Sequence, residues 1–349
     1  MTGAEPAGGA DTAAVRISRR VSNLALLVVV VLVLLSGLAS WLVVAHAQRW
    51  VVAGHGAAGL AVLGLVGSKA PVVRSGLSRA RVSRWASVVL AVLIVLALLS
   101  GVLHSTGLAV RAPGGQRSMW WHVAAGLALV PLLAWHALAR RQRPRRDDLD
   151  RRLALRAGGL AVLAAAGWLS LEGAVLASGL PGARRRPTGS YLQALPQPTI
   201  WLADRVPSGT DAPGWTVSVR DDDGRRTLSL ADLASLPRTE RRAVIDCTSG
   251  WASEQDWSGV ALGDLVRGAD SGRSVVVRSV TGYSRRFAPD ELDGLLLATA
   301  MAGEPLPGRL GAPVRLVAPG RRGFWWVKWV VAVEVEDAPS WWQPPLPLR

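Results

Sequence analysis

Up to about residue 180 the chain alternates long apolar runs with short basic stretches. Beyond that point it changes to short alternating segments separated by turns. The apolar runs lie near Val21–His46, Trp50–Val73, Trp85–His104, Met119–Ala139 and Leu153–Leu180. A helix needs about 20 apolar residues to cross a bilayer, so the runs predict five transmembrane helices. Trp41, Trp50, Trp85, Trp120, Trp121 and Trp135 stand toward run ends, where interfacial anchors belong. The first run is too long for a cleaved signal, and no clean processing site follows it, so it is expected to be retained. Pro181–Pro213 is rich in Pro, Gly and Arg and reads as a linker. From Trp215 the pattern predicts strands at Thr216–Val219, Ala243–Ile245, Ser274–Ser279, Val314–Val317 and Val330–Val335. A turn is expected at Asp221–Gly224 and a short helix at Ala231–Leu236. The chain therefore divides into a tail (1–20), an all-α five-helix transmembrane bundle (21–180), a linker (181–213) and an α+β domain (214–349).

Charge adds orientation. The formal net charge of +15 would fit nucleic acid, but the arginines cluster at the ends of apolar runs, so no nucleic-acid partner is expected. One side of the bundle collects Arg16, Arg19 and Arg20, then Lys69, Arg74, Arg79, Arg81 and Arg84, then Arg140, Arg141, Arg143, Arg145, Arg146, Arg151 and Arg152. The other side has Arg49, Arg111 and Arg117, with Arg184, Arg185 and Arg186. The richer side is expected in the cytoplasm. The N-terminus then lies inside and the α+β domain outside, in a multi-pass cell-membrane protein in contact with lipid.

The bundle contains a repeat. His55-Gly56-Ala57-Ala58-Gly59-Leu60-Ala61 parallels His122-Val123-Ala124-Ala125-Gly126-Leu127-Ala128, and Leu34-Leu35-Ser36-Gly37 parallels Leu98-Leu99-Ser100-Gly101. Helices 1–2 and 3–4 thus read as a duplicated hairpin. All five histidines, His46, His55, His104, His122 and His136, fall in or beside these helices. Ionisable groups inside a membrane are costly and mark function. One account is axial ligation of haem b iron by His55 and His122, with small neighbours leaving room for the porphyrin. The other is interfacial histidines bonded to headgroups or carbonyls. His136 lies fourteen residues beyond His122, about 21 Å along a helix, a spacing similar to that of two-haem cytochromes b. Its repeat partner is Lys69, so one haem is expected, with His46 and His104 as alternative ligands or the lining of a quinone site.

Cys247 is the only cysteine of the chain. A lone thiol at a strand end suits a metal ligand or nucleophile, or an inert buried cysteine. Its setting is Asp246-Cys247-Thr248-Ser249-Gly250-Trp251, then Trp257-Ser258-Gly259-Val260 and Leu262. Gly303-Glu304-Pro305-Leu306-Pro307, Gly311 through Val317, and Gly323 through Trp329 follow downstream. Over about residues 214–338 this order and spacing resembles the sulfite oxidase family, which includes the periplasmic methionine sulfoxide reductase catalytic subunits. The resemblance implies a molybdopterin-binding fold with Cys247 as the thiolate ligand of molybdenum. It implies that Arg315 holds the phosphate-bearing end of the cofactor, with Trp326, Val327 and Lys328 in the pterin-binding loop. Ser279 and Tyr283 match family positions near the pterin and metal, Tyr283 as a catalytic residue.

The expected function is oxygen-atom transfer on a small sulfite-like or sulfoxide-like substrate, with electrons exchanged through a membrane haem b and a quinone partner. A second class, a membrane cytochrome b whose outer domain has lost molybdenum, draws on Leu310, where the family usually has His or Asn.

Overall fold

The computed structural model describes residues 19–42, 47–68, 83–109, 117–139, 151–197, 206–210, 214–270 and 272–346. His46 and the basic residues Arg16, Lys69, Arg74, Arg79, Arg81, Arg111, Arg140, Arg141, Arg143, Arg145 and Arg146 lie outside them.

Five long helices come first: α1 (Arg19–Leu42), α2 (Gln48–Ser68), α3 (Ser83–Thr106), α4 (Ser118–Ala139) and α5 (Arg151–Ala177). Each is long and apolar enough to cross a membrane, with mean hydropathy from 1.6 to 2.9 over its best window. Their outer faces expose Val28, Leu32, Leu35, Val92, Val95, Leu99, Leu163 and Leu169. In water so much exposed apolar surface would drive association; in hydrocarbon it costs nothing. The helices pack as the repeat predicts: α1 against α2 and α3 against α4, with α5 added along α2. Gly56 makes the α2–α5 contact close, since a Cβ there would meet the Trp168 ring at 2.4 Å.

The remainder is two sheets around one core. The first runs β1 (Tyr191–Leu192), β5 (Trp251–Ala261), β8 (Leu296–Met301), β10 (Arg315–Val317), with β4 (Thr239–Cys247) on β5 and β9 (Glu304–Pro305) on β8. The second runs β3 (Gly224–Ser229), β2 (Thr216–Asp221), β11 (Val330–Glu336), β6 (Ser274–Ser279), β7 (Ser284–Phe287). The alternating segments put Val217, Val219, Val275, Val277 and Val333 inside, opposite Trp257, Leu296, Leu297 and Leu316. A short helix α6 (Leu230–Ser235) starts on a capping box in which Ser229 accepts from the Asp232 amide. A single turn α7 (Leu262–Leu265) follows β5.

The linker expectation needs correction. Part of 181–213 is built into the fold: β1 pairs in parallel with β5 through Tyr191 and Leu192, and Ser190 is fully buried. A 3-10 turn forms at Pro181–Arg184, and Arg186, Thr188 and Ser190 find a partner in Asp246 of β4. Composition alone does not separate such a segment from a flexible connector.

Candidate functional site

Cys247 closes β4 at the tip of a tight connection into β5, where Cys247 pairs with Trp251 and the Gly250 amide bonds back to the Cys247 carbonyl at 3.1 Å. Gly250 holds φ +87°, which a residue with a Cβ rarely adopts. The thiol is nearly buried, and the Ser249 hydroxyl lies 3.3 Å from Sγ.

The neighbouring Asp246 carboxylate gathers four partners. Arg322 Nη1 donates at 2.6 Å, Ser190 Oγ at 2.7 Å, Thr188 Oγ1 at 2.8 Å and Arg186 Nε at 3.2 Å. Arg322 also reaches the Cys247 carbonyl at 3.2 Å. A buried carboxylate is tolerated when paired and hydrogen-bonded in this way, and the pairing fixes the strand end that carries the thiol. Gly323 then packs on the backbone of Asp246 and Cys247, where a Cβ would sit 3.3 Å from Cys247 Cα.

From Gly323 one loop runs past the other expected residues. The Phe324 carbonyl accepts the Tyr283 hydroxyl at 2.5 Å, and Arg285 Nε donates to that hydroxyl at 2.6 Å. Burial pushes the Tyr283 phenol up, against the pull of Arg285. Trp326 and Val327 are buried, and the Val327 carbonyl accepts from the Leu316 amide at 2.7 Å. Lys328 Nζ lies 5.0 Å above the Trp329 ring, and Trp329 holds φ +52°, a strained value for a bulky residue. At Gly311, φ +111°, a Cβ would meet Lys328 Cβ at 3.0 Å and Arg315 Cβ at 3.1 Å. Arg315 and Lys328 thus converge on one glycine.

Arg315 is 1 % exposed, between the Trp257 and Trp326 rings. Its Nη1 donates to the Leu310 carbonyl at 2.7 Å, and its Nε has no partner. Burial pulls its pKa down to about 9, which leaves it charged at neutral pH. Arg322 Nε and Arg285 Nη2 are likewise buried without a partner. Cationic nitrogens left unpaired in a core are expensive, and an anionic group would satisfy them. The thiol and the unpaired guanidinium nitrogens have the donor chemistry to fit a molybdenum cofactor with a phosphate end. Ser279 instead organises its own turn, accepting from the Thr281 amide and hydroxyl; it joins this region through the Val280 amide, which bonds to the Trp329 carbonyl.

Sequence reasoning missed Arg322, Arg186, Thr188 and Ser190. Arg322 carried a local signal, an arginine directly before the glycine of the matched loop. The other three sat in the segment read as a linker.

The bundle holds a histidine pair. His55 and His122 face each other with Nε2 atoms 3.4 Å apart. His55 Nδ1 is 3.0 Å from the Val33 carbonyl and His122 Nδ1 is 2.7 Å from the Ala97 carbonyl. Val33 and Ala97 each stand directly before the repeated Leu-Leu-Ser-Gly segment, so the contacts obey the repeat. A carbonyl at Nδ1 places the proton there and leaves Nε2 free to bind a metal. The repeated glycines make room: a Cβ on Gly37 or Gly101 would lie 3.1 Å from the His55 or His122 ring. His104, at the end of α3, is engaged elsewhere, with Nε2 2.8 Å from the Gly189 carbonyl and Nδ1 3.3 Å from Ser118 Oγ. His136 lies near the far end of α4.

Residues 203–342 match the family model described as the oxidoreductase molybdopterin binding domain. The protein-methionine-sulfoxide reductase catalytic subunit MsrP of Xanthomonas campestris is 30% identical over 153 residues, 36% of this chain and 46% of that protein. The uncharacterized oxidoreductase YuiH of Bacillus subtilis is 29% identical over 155 residues, 42% of this chain and 78% of that protein. The chain therefore spans about half the length of its MsrP relative. Among solved structures, the sulfane dehydrogenase SoxCD of Paracoccus pantotrophus aligns with TM-score 0.33 and 23% identity over 40% of each chain.

Proposed function

We propose that this chain, whose outer domain is a molybdopterin-binding oxidoreductase domain, is a membrane-bound enzyme that transfers an oxygen atom to or from a small sulfite-like or sulfoxide-like substrate and exchanges electrons through a haem b in its bundle. The observation that carries the reading is Cys247 at a braced turn tip, in a region with buried, unpaired cationic nitrogens. The cofactor supplies the two-electron oxygen-atom chemistry; the protein supplies binding, orientation and electrostatics. Cys247 offers the soft thiolate ligand. Arg315, beneath the loop of Trp326, Val327 and Lys328, gives a fixed positive charge to the phosphate end. Tyr283, kept protonated by burial, would donate a hydrogen bond toward substrate by exchanging its present bond to the Phe324 carbonyl.

The haem assignment rests on His55 and His122. His55 and His122 would hold the haem iron through their Nε2 atoms, now 3.4 Å apart, once the two rings separate to admit the porphyrin. The distribution of basic residues supports a cytoplasmic N-terminal side and an extracytoplasmic α+β domain, and the reading takes a membrane quinone as the electron partner. The rival reading, a membrane cytochrome with a non-catalytic outer domain, draws on Leu310. That side chain is buried in the core and its carbonyl holds Arg315, so the substitution leaves the arginine in place.

The test is Cys247→Ser. It should lower turnover with a soluble dye donor or acceptor by at least about 100-fold, beyond what loss of an outer contact costs, while the bundle stays folded. Undiminished turnover would remove the assignment.

A further inference from the structure

The turn that carries Cys247 touches the bundle. A Cβ on Gly250 would stand 2.7 Å from His104 Cε1 and 2.9 Å from Met119 Cβ, so the α3 end and the α4 start press on this turn. His104 is 2 % exposed although it ends a helix at the bundle surface. Every polar group of His104 that faces the outer domain is used there: the ring bonds to the Gly189 carbonyl, and its backbone carbonyl accepts the Tyr191 hydroxyl. Burial pushes the Tyr191 phenol up to about 12, so it remains a donor. The Tyr191 amide in turn donates to the Gly250 carbonyl at 3.1 Å. His104, Tyr191 and Gly250 thus form a closed loop of contacts between α3, β1 and the Cys247 turn.

The same helix leads back to the histidine pair. The Ala97 carbonyl that holds His122 lies seven residues before His104 on α3, about 10 Å along the axis. Two more contacts tie the domains nearby. Arg117, just before α4, bonds Gln193 and Gln197, and Arg185 pairs with Glu172 of α5 at 2.7 Å.

We infer that His104 is a positioning residue that seats the Cys247 turn on the bundle and holds it in fixed register with the His55–His122 pair. It touches neither metal site; it acts through Gly189, Tyr191 and Gly250. The inference rests on the proposed function only for its consequence, faster electron exchange between the two sites. The seating itself is independent of it.

The experiment uses the full chain in detergent or nanodiscs. Hydrogen exchange is followed at the Gly250–Ala252 amides of the native protein, His104→Leu and the conservative His104→Gln. His104→Leu should speed exchange there by about tenfold, as expected for loss of a buried hydrogen bond, and His104→Gln should restore most of the protection. Unchanged exchange in His104→Leu overturns the inference, as does equal loss in His104→Gln. Should His104→Leu fail to accumulate, Tyr191→Phe removes only the bond to the His104 carbonyl. It should speed exchange about threefold, and no change overturns the inference equally. Where the native protein shows a haem band, its response to substrate should slow by about tenfold in His104→Leu while dye-linked turnover stays within about threefold. A native protein without a haem band sinks the haem reading, and the exchange result still decides the role of His104.

Discussion

At the scale of single residues, Arg315 shows how a site can be paid for in stability. Its guanidinium is enclosed between Trp257 and Trp326 with one carbonyl partner and no carboxylate. In the cofactor-free protein that arrangement is destabilising, because cation–π contact and one hydrogen bond replace a full hydration shell. Arg315→Met should therefore raise the melting temperature of the cofactor-free protein by a few degrees, and the further rise on cofactor binding should shrink. Differential scanning calorimetry on cofactor-free and loaded protein reads both effects. A lower melting temperature in the cofactor-free variant would show that Arg315 is structural. Asp246 is the opposite case, a buried charge with four partners, and its work is to hold the end of β4 still.

At the scale of elements, the duplicated hairpin accounts for the bundle's geometry. The same offset from the Leu-Leu-Ser-Gly segment supplies the carbonyl for each histidine, and the same glycine clears space beside each ring. His55→Ala and His122→Ala should each remove the b-type absorption, and His136→Ala should keep most of it; reduced-minus-oxidised spectra of the purified variants check this. Retention of the band in His55→Ala would show that the repeat does not mark the ligands. Much of this scale was legible in the sequence. Helix positions followed from apolar runs, β6 was predicted at its observed ends, and the pairing of the hairpins followed from the repeat. The strand β5 was harder, because Trp251–Ala261 mixes buried and exposed residues without strict alternation. The segment before it was harder still. Thr188, Ser190 and Tyr191 earn their places through long-range partners on Asp246, Gly250 and His104, and a local pattern contains no trace of such partners.

At the scale of the molecule, the α+β domain and the bundle are joined at the end of the bundle where His55 and His122 lie. Glu172, His104 and Arg117 all contribute to that junction, so the Cys247 turn sits over the mouth of the bundle. The orientation is tested by reporters: a fusion after Arg349 should be active outside the cytoplasm, and one inserted between Arg74 and Arg84 should be active inside it. Cytoplasmic activity of the C-terminal fusion would reverse the orientation or change the number of crossings. The central claim, one chain carrying both a molybdenum site and a haem site, is tested most directly by metal analysis of the purified full-length protein. The account predicts molybdenum and haem iron, each near one atom per chain, with molybdenum lost in Cys247→Ser and iron retained. Protein that is fully folded and expressed with cofactor synthesis intact, yet lacks either metal, would contradict it.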